Sequence, residues 1–394
     1  MRVFFFVCIL VLGFCKPPEL RNACDPNAFS LEDKLVSDLL LQSIPQLNTE
    51  VLQFLFPDKV ILCASNPTNR GPFSLSGRVR GLTSQSITLT SGTNPPESLV
   101  INPGATTFAF PSKFTRGNSF NLTVSEHSQG LCYVVNGQGT LVADVNNISV
   151  VCVEPLAYSG LSSWYRADSL NLGNGASVSS LNDLSPNNNH LAGSGAIFSS
   201  TGINGKPSIN LLGNTLERSI ASGLGGSSFS ILIVFKRLGG SGTEEYVFFM
   251  GDNNSGCPAG SVALSIQDGT SGEIGVQTPC GAYMINPTPA LAVHPSDSSP
   301  KLLQVKYLYA PTGNSIRYAM LNGAVAISGS ATDIVYSNPN PYVQIGNYPA
   351  GTKPSQVSVA ELLYFNRFLT EDESLQLDCY LAKKYEFAHA TTCQ

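Results

Sequence analysis

The chain has 394 residues, 22 lysines and arginines against 27 aspartates and glutamates, a net charge of -5 and only 12% charged residues. That length points to two or three domains, and the mild charge without a basic run sets aside nucleic acid, whose phosphates need a basic stripe. Abundant Gly, Pro, Ser, Thr and Asn between short apolar runs point to β-sheet joined by many turns.

After Met1 and Arg2 the chain reads VFFFVCILVLGF, twelve apolar or small residues. As a helix this run reaches about 18 Å, against about 30 Å for a bilayer core, so it suits the apolar region of a secretion signal rather than a span. The run ends in Leu12-Gly13-Phe14-Cys15, which resembles a bacterial lipobox. It departs from the usual pattern at Phe14, where most bacteria have Gly, Ala or Ser; spirochaetal lipoproteins are looser there. The resemblance implies a signal peptide over 1–14, a diacylglycerol on the Cys15 thiol, and a protein held on the extracytoplasmic side of a membrane, at the outer membrane or cell surface. An ordinary secreted protein is the alternative. Lys16-Pro17-Pro18 then opens a tether that cannot be helical.

Ten cysteines occur, without C-x-x-C or a Cys/His pair at metal-ligand spacing. Setting aside Cys8 and Cys15 leaves eight, and pairing neighbours joins Cys24 with Cys63, Cys132 with Cys152, Cys257 with Cys280, and Cys379 with Cys393. Such usage favours an oxidising compartment; buried free thiols in a reducing one are the alternative.

The region 15–73 contains one helical stretch. Ser30 with Asp33 has the shape of an N-terminal cap, and Leu31, Leu35, Val36, Leu39 and Leu40 form a stripe that Pro45 interrupts before VLQFLF at 51–56. Residues 66–73, NPTNRGPF, read as a linker. From 74 to 153 seven short β runs follow, with Phe120, Leu122 and Val124 expected on one face. The segments LSGRVRGL and FAFPSKFTRGNSFNLTV, followed by Cys132 and Cys152, resemble the immunoglobulin-like repeats of bacterial surface lipoproteins. That resemblance implies an antiparallel sandwich acting as a spacer.

Residues 156–394 open with YSGLSSWYRADSL, continue through NDLSPNNNHL and INGKPSINLLGN, and end in VAELLYFNRFLTEDESLQLDCYLAKKY. Together these resemble the concanavalin A-like or laminin-G-like jelly rolls of bacterial surface proteins. The resemblance implies two packed antiparallel sheets that bind carbohydrate or protein. At the end, Thr370 and Glu373 have capping-box spacing, and Leu377, Leu381 and Tyr385 share one face of a terminal helix. The expected fold is therefore mainly β: a helical segment, an immunoglobulin-like sandwich, and a larger jelly roll closed by a helix.

Carboxylates two apart on one strand would share a face and could hydrolyse a glycan, but Glu244 and Glu245 are adjacent, and Glu371, Asp372 and Glu373 fall in a helix's first turn. His127, His190, His294 and His389 are isolated, GINGKPS lacks the spacing of a phosphate loop, and no nucleophile elbow occurs. The expectation is that the chain is not an enzyme. Trp164 reads as core rather than a sugar platform, and Asp183 with Asn187–Asn189 as turn residues rather than metal ligands. The favoured ligand site is the loop GDNNSGC, where Asp252, Asn253 and Asn254 offer oxygen donors for hydroxyls or for Ca2+, with Tyr283 across the Cys257/Cys280 pair as an aromatic face. Sequons stand at Asn121, Asn147 and Asn253. The resulting expectation is a lipid-anchored surface protein whose jelly roll recognises a carbohydrate or a host matrix protein. The rivals are a structural envelope component and a degenerate glycan hydrolase.

Overall fold

A computed structural model of the chain describes residues 72–219, 221, 228–240, 244–251, 262–267, 272–278, 282–285, 291–293, 297–310, 315–331, 342–347, 354–388 and 393. The expected signal peptide, Cys15, the helical stretch and the Cys24/Cys63 pair lie outside the described residues.

The first module has nine strands: β1 (Leu75–Arg80), β2 (Ile87–Thr90), β3 (Ser98–Ile101), β4 (Thr107–Ala109), β5 (Ser119–Asn121), β6 (Thr123–Val124), β7 (Leu131–Val135), β8 (Gln138–Thr140) and β9 (Val145–Val153). They form the sheets β4-β1-β9-β7, β3-β2-β6 and β5-β8. Alternation sets the core: Leu75 and Val79 of β1, Ile87 and Leu89 of β2, and Ile148 and Val150 of β9 point inward with Phe108, Phe110 and Phe114. The first and last strands lie side by side and parallel, a pairing that needs no turn between them. Phe120 and Leu122 are buried and Val124 packs against the same core, but the segment splits into β5 and β6, which join different sheets. Cys132 and Cys152 stand directly opposite in the β7–β9 ladder and are bonded.

The second module follows from Val153 onward. Its strands are β10 (Leu161–Arg166), β11 (Ser177–Leu181), β12 (Leu191–Ile203), β13 (Lys206–Asn210), β14 (Thr215–Arg218), β15 (Phe229–Arg237), β16 (Glu245–Gly251), β17 (Val262–Ile266), β18 (Ile274–Thr278), β19 (Ala282–Ile285), β20 (Lys301–Leu308), β21 (Ser315–Leu321), β22 (Ala324–Ala331), β23 (Tyr342–Ile345) and β24 (Val357–Phe365). The hydrogen-bonded path runs β19-β18-β17-β16-β23-β14-β12-β13-β24-β15-β20-β21-β22, antiparallel at each pairing, with β10 on β24 and β11 on β12. The long β12 is the fold line: Ala192–Ser194 pair with β14, and residues 197–203 pair with β13. The two halves of the sheet thus close on one core, where Phe248 from one half meets Tyr364 from the other at 6.2 Å between ring centroids. This is the expected mainly β architecture, with a large antiparallel sandwich and, among the described residues, one α-helix.

That helix, α1 (Glu371–Lys384), starts as a full capping box: the Thr370 hydroxyl accepts from the Glu373 amide, and the Glu373 carboxylate accepts from the Thr370 amide. Arg367 adds a bidentate pair to Glu373 at 2.7 and 2.8 Å, and this contact, with the cap, holds the Glu373 carboxyl down at about 2. Leu377, Leu381 and Tyr385 are buried against the outer face of β15 and β24, with Leu232, Val234 and Leu363. Leu131 and Val153 of the first module join the same cluster. The helix therefore packs onto both modules. Its Cys379 is bonded to Cys393, which ties the chain's tail back to it.

Candidate functional site

Trp164 is core. It is 1% exposed, and its indole N–H donates to Glu361 at 2.7 Å. Glu361, itself fully buried in the middle of β24, also accepts from Tyr380 at 2.6 Å, Lys384 at 2.7 Å and Tyr385 at 3.0 Å. Lys384 reaches Asp168 at 3.0 Å, and Asp168 takes a bidentate pair from Arg166 at 2.8 and 3.0 Å. Burial opposes ionisation of Asp168, but Arg166 and Lys384 outweigh it and lower its pKa. Burial, and then the Glu361 charge, push both tyrosines well above the ordinary phenol range. Four donors converge on the Glu361 carboxylate and Lys384 links it to the Arg166–Asp168 pair, so the cluster is a clamp joining β10, β24 and α1.

Asp183 is a second clamp. Its carboxylate accepts from the amides of Trp164, Ser185 and Asn189 at 2.8 to 2.9 Å and from the Ser185 hydroxyl at 2.7 Å, while Asn187 and Asn189 donate to the Ser162 carbonyl. With its oxygens committed to the backbone, this loop is a turn, as its composition indicates. Glu244 and Glu245 diverge as adjacent strand residues must: Glu244 accepts from Gln267, and the buried Glu245 pairs with the buried Arg237 at 3.0 Å. His127 is buried beside Glu154 at 3.1 Å, and His190 accepts from the Asp183 amide. His294 and His389 lie outside the described residues. Among the described residues no group of three or more His, Cys, Asp and Glu could hold a metal ion.

The loop favoured from sequence, with Asp252, Asn253, Asn254, Cys257 and Cys280, lies outside the described residues. Tyr283 falls on β19 opposite Gln277, and its side chain is likewise outside them. Asp252 follows Gly251, and Gly251 pairs with Tyr342 of β23. Inward-facing Val343, Ile345 and Met250 belong to the main core, so Tyr342, Gln344 and Phe249 face outward from this half of the sheet. Register lines up Glu217 of β14, Gln344 of β23, Phe249 of β16 and Ala263 of β17 in one row across four strands. The Tyr342 hydroxyl donates to the exposed Glu217 carboxylate. Burial, then that carboxylate, raises the Tyr342 phenol above its usual range. Gln344 is 3% exposed and its side-chain carbonyl has no hydrogen-bond partner. A carboxylate, a phenol and an amide carbonyl thus gather on neighbouring positions of β14 and β23. Such acceptors suit a ligand rich in hydroxyl donors.

Neither Glu217 nor Gln344 was singled out by sequence. The signal was available only in part: YVQIGNY places Gln344 between apolar Val343 and Ile345, the alternation of a strand with one face turned from the core, whereas in TLER Glu217 stands between Leu216 and Arg218 and reads as ordinary surface charge.

No protein-family model matches the chain, and no match is found among curated proteins. Among solved structures the chain is similar to domain 4 of AbnA, a GH43 extracellular arabinanase from Geobacillus stearothermophilus, in complex with arabinotriose, at 16% identity and a TM-score of 0.38 over 54% of this chain and 95% of that one. It is similar to Trypanosoma rangeli sialidase at 13% identity and 0.40, over 58% of this chain but only 33% of the sialidase. The binding domain of Paraclostridial Mosquitocidal Protein 1 is similar at 15% identity and 0.39, over 56% of this chain and 52% of that domain. At these identities the likeness is one of fold. The expectation that the chain is not an enzyme is corrected by this finding, because an arabinanase and a sialidase are among the similar structures.

Proposed function

We propose that this is a lipid-anchored cell-surface protein, tethered through Cys15, in which the immunoglobulin-like module spaces a jelly-roll module that binds carbohydrate. The observation that carries the binding reading is the outward row of Glu217, Tyr342 and Gln344, with an unpartnered amide carbonyl. Glu217 and Gln344 accept ligand hydroxyls, and the Tyr342 hydroxyl orients the carboxylate. The full chain is applied to a glycan array, and a bound oligosaccharide is titrated against Glu217→Ala and Tyr342→Phe. Each substitution weakens binding at least tenfold, about 1.4 kcal/mol, with folding unchanged. Equal binding by both variants refutes this placement of the site. Released sugar is measured in the same incubations. For the anchor, Cys15→Ser abolishes fatty-acid labelling and moves the protein from the detergent to the aqueous phase; persistent labelling refutes it.

A further inference from the structure

The first module carries a feature that glycan recognition by the jelly roll does not use. Arg78 and Arg80 both project, exposed, from the outward face of β1, alternating with buried Gly77 and Val79. Most other described cations are engaged: Arg166 with Asp168, Arg237 with Glu245, Lys301 with Asp297, Arg367 with Glu373, and Lys384 with Glu361. Arg78 and Arg80 have neither a hydrogen bond nor an ion pair. Two residues of strand separate their Cα atoms by about 7 Å.

Register supplies the neighbours. Arg78 stands beside Thr107 of β4 and Ser149 of β9, and Arg80 stands beside Val151 of β9, which in turn pairs with Tyr133 of β7. Tyr133 is half-buried, and the ammonium of Lys383, exposed in the last turn of α1, lies over its ring at 5.4 Å. Arg80 and Tyr133 are two strand spacings apart, about 10 Å. The outward residues of this sheet, Ser76, Arg78, Arg80, Thr107, Ala109, Ser149, Val151, Tyr133 and Val135, include no carboxylate. Three cations, an aromatic ring and the hydroxyls of Ser76, Thr107 and Ser149 therefore share one open face in a chain whose net charge is -5.

We infer that this face binds an acidic polysaccharide, one bearing sulfate or uronate groups. Guanidinium groups grip such oxyanions through paired N–H donors, the Thr107 and Ser149 hydroxyls meet sugar hydroxyls, and Tyr133 meets a ring face. Three cations are too few for nucleic acid, whose binders make about 6 to 10 phosphate contacts, and the face offers no apolar wedge for a bilayer. The site is centred on the first module, with only Lys383 coming from the second, and stands whether or not the Glu217 row binds sugar.

The test uses the full chain in detergent, with heparin and hyaluronan as acidic probes, dextran as the neutral one, and duplex DNA as the competing class, by calorimetry at 50 and 150 mM salt. Heparin binds and dextran does not, and affinity falls with salt at a log–log slope of about -2 to -3, as three released counterions require. Arg78→Ala with Arg80→Ala weakens heparin binding at least tenfold, and Lys383→Ala about threefold. Lys113→Ala with Arg116→Ala removes the same charge near Phe114, which bridges Phe73 beyond the other end of β1, and leaves binding unchanged. Circular dichroism checks that each variant is folded. No heparin binding at 50 mM salt, equal binding by the Arg78/Arg80 variant, or an equal loss in the Lys113/Arg116 variant each overturns the proposal. DNA binding as tight as heparin binding reassigns the face to nucleic acid and overturns the glycan reading.

Discussion

Glu361→Ala is the sharpest test of how the second module is held together. The wild-type carboxylate is fully buried and takes four donors, from Trp164, Tyr380, Lys384 and Tyr385, all between 2.6 and 3.0 Å. Removing it strands three neutral donors and one ammonium. Breaking a buried ion pair from one side costs about 3 to 5 kcal/mol. Lys384 can fall back on Asp168, already at 3.0 Å, which relieves part of the charge penalty. The indole and the two phenols have no second acceptor, Tyr380 keeping only the hydrogen bond its oxygen accepts from Lys384 at 3.4 Å, and each orphaned buried donor costs about 1 to 3 kcal/mol. The net expectation is a loss of at least about 3 kcal/mol, which lowers a urea midpoint by about 1 M at an m-value of about 3 kcal/mol/M. Trp164 is the only tryptophan in the chain, so its fluorescence reports this module without interference from the first. Glu361→Gln keeps the shape and loses the charge, and should fall between the parent and the alanine variant. A midpoint shift under about 0.3 M for Glu361→Ala would show that the four donors are not a clamp and would refute the reasoning.

Cys132→Ser with Cys152→Ser opens a loop of 20 residues and should cost the first module about 3 kcal/mol in the chain-entropy picture, read as a lower thermal midpoint with Trp164 fluorescence unaffected. Arg237→Met alone should destabilise the sandwich by about 3 to 5 kcal/mol, whereas Arg237→Met with Glu245→Met should recover most of it, because the pair is fully buried on both sides. The Glu373 carboxyl, held near 2 against an ordinary 4.5, stabilises the start of α1 at every pH above 4.5 and loses that contribution as pH falls toward 2. Amide exchange in the first turn of α1 should therefore accelerate over that window, and Glu373→Gln should make it independent of pH there.

The strands of the first module were legible because short apolar runs alternate cleanly between turn residues, and the C-terminal helix because Thr370 and Glu373 carry its cap in plain view. Trp164 read correctly as core. What stayed hidden was everything made by partners distant along the chain. Glu361 sits in VAELLYF, where one acid among apolar residues announces a buried charge, but its partners are a strand residue 197 positions earlier and three helix residues downstream. Arg78 and Arg80 look like ordinary surface charge until strand alternation puts them on one face and Lys383 arrives from the far end of the sequence. Charge counted along the chain misses a patch assembled across it.

The pairing of β10 with β24 also sets an order in time. The first module's strands find all their partners between residues 73 and 153, so it can fold as soon as that length is free. Its neighbour begins at β10 but needs β24 to cover that strand and α1, ending at Lys384, to seal it. From 153 to 384 is 231 residues, which at about 5 to 20 residues per second is on the order of ten seconds or more of synthesis. During that interval the apolar strands β15, β16 and β17 exist without their cover. A chain built this way stays unfolded over most of its length until its last helix is made, the state in which a polypeptide can still be threaded through a narrow translocation pore.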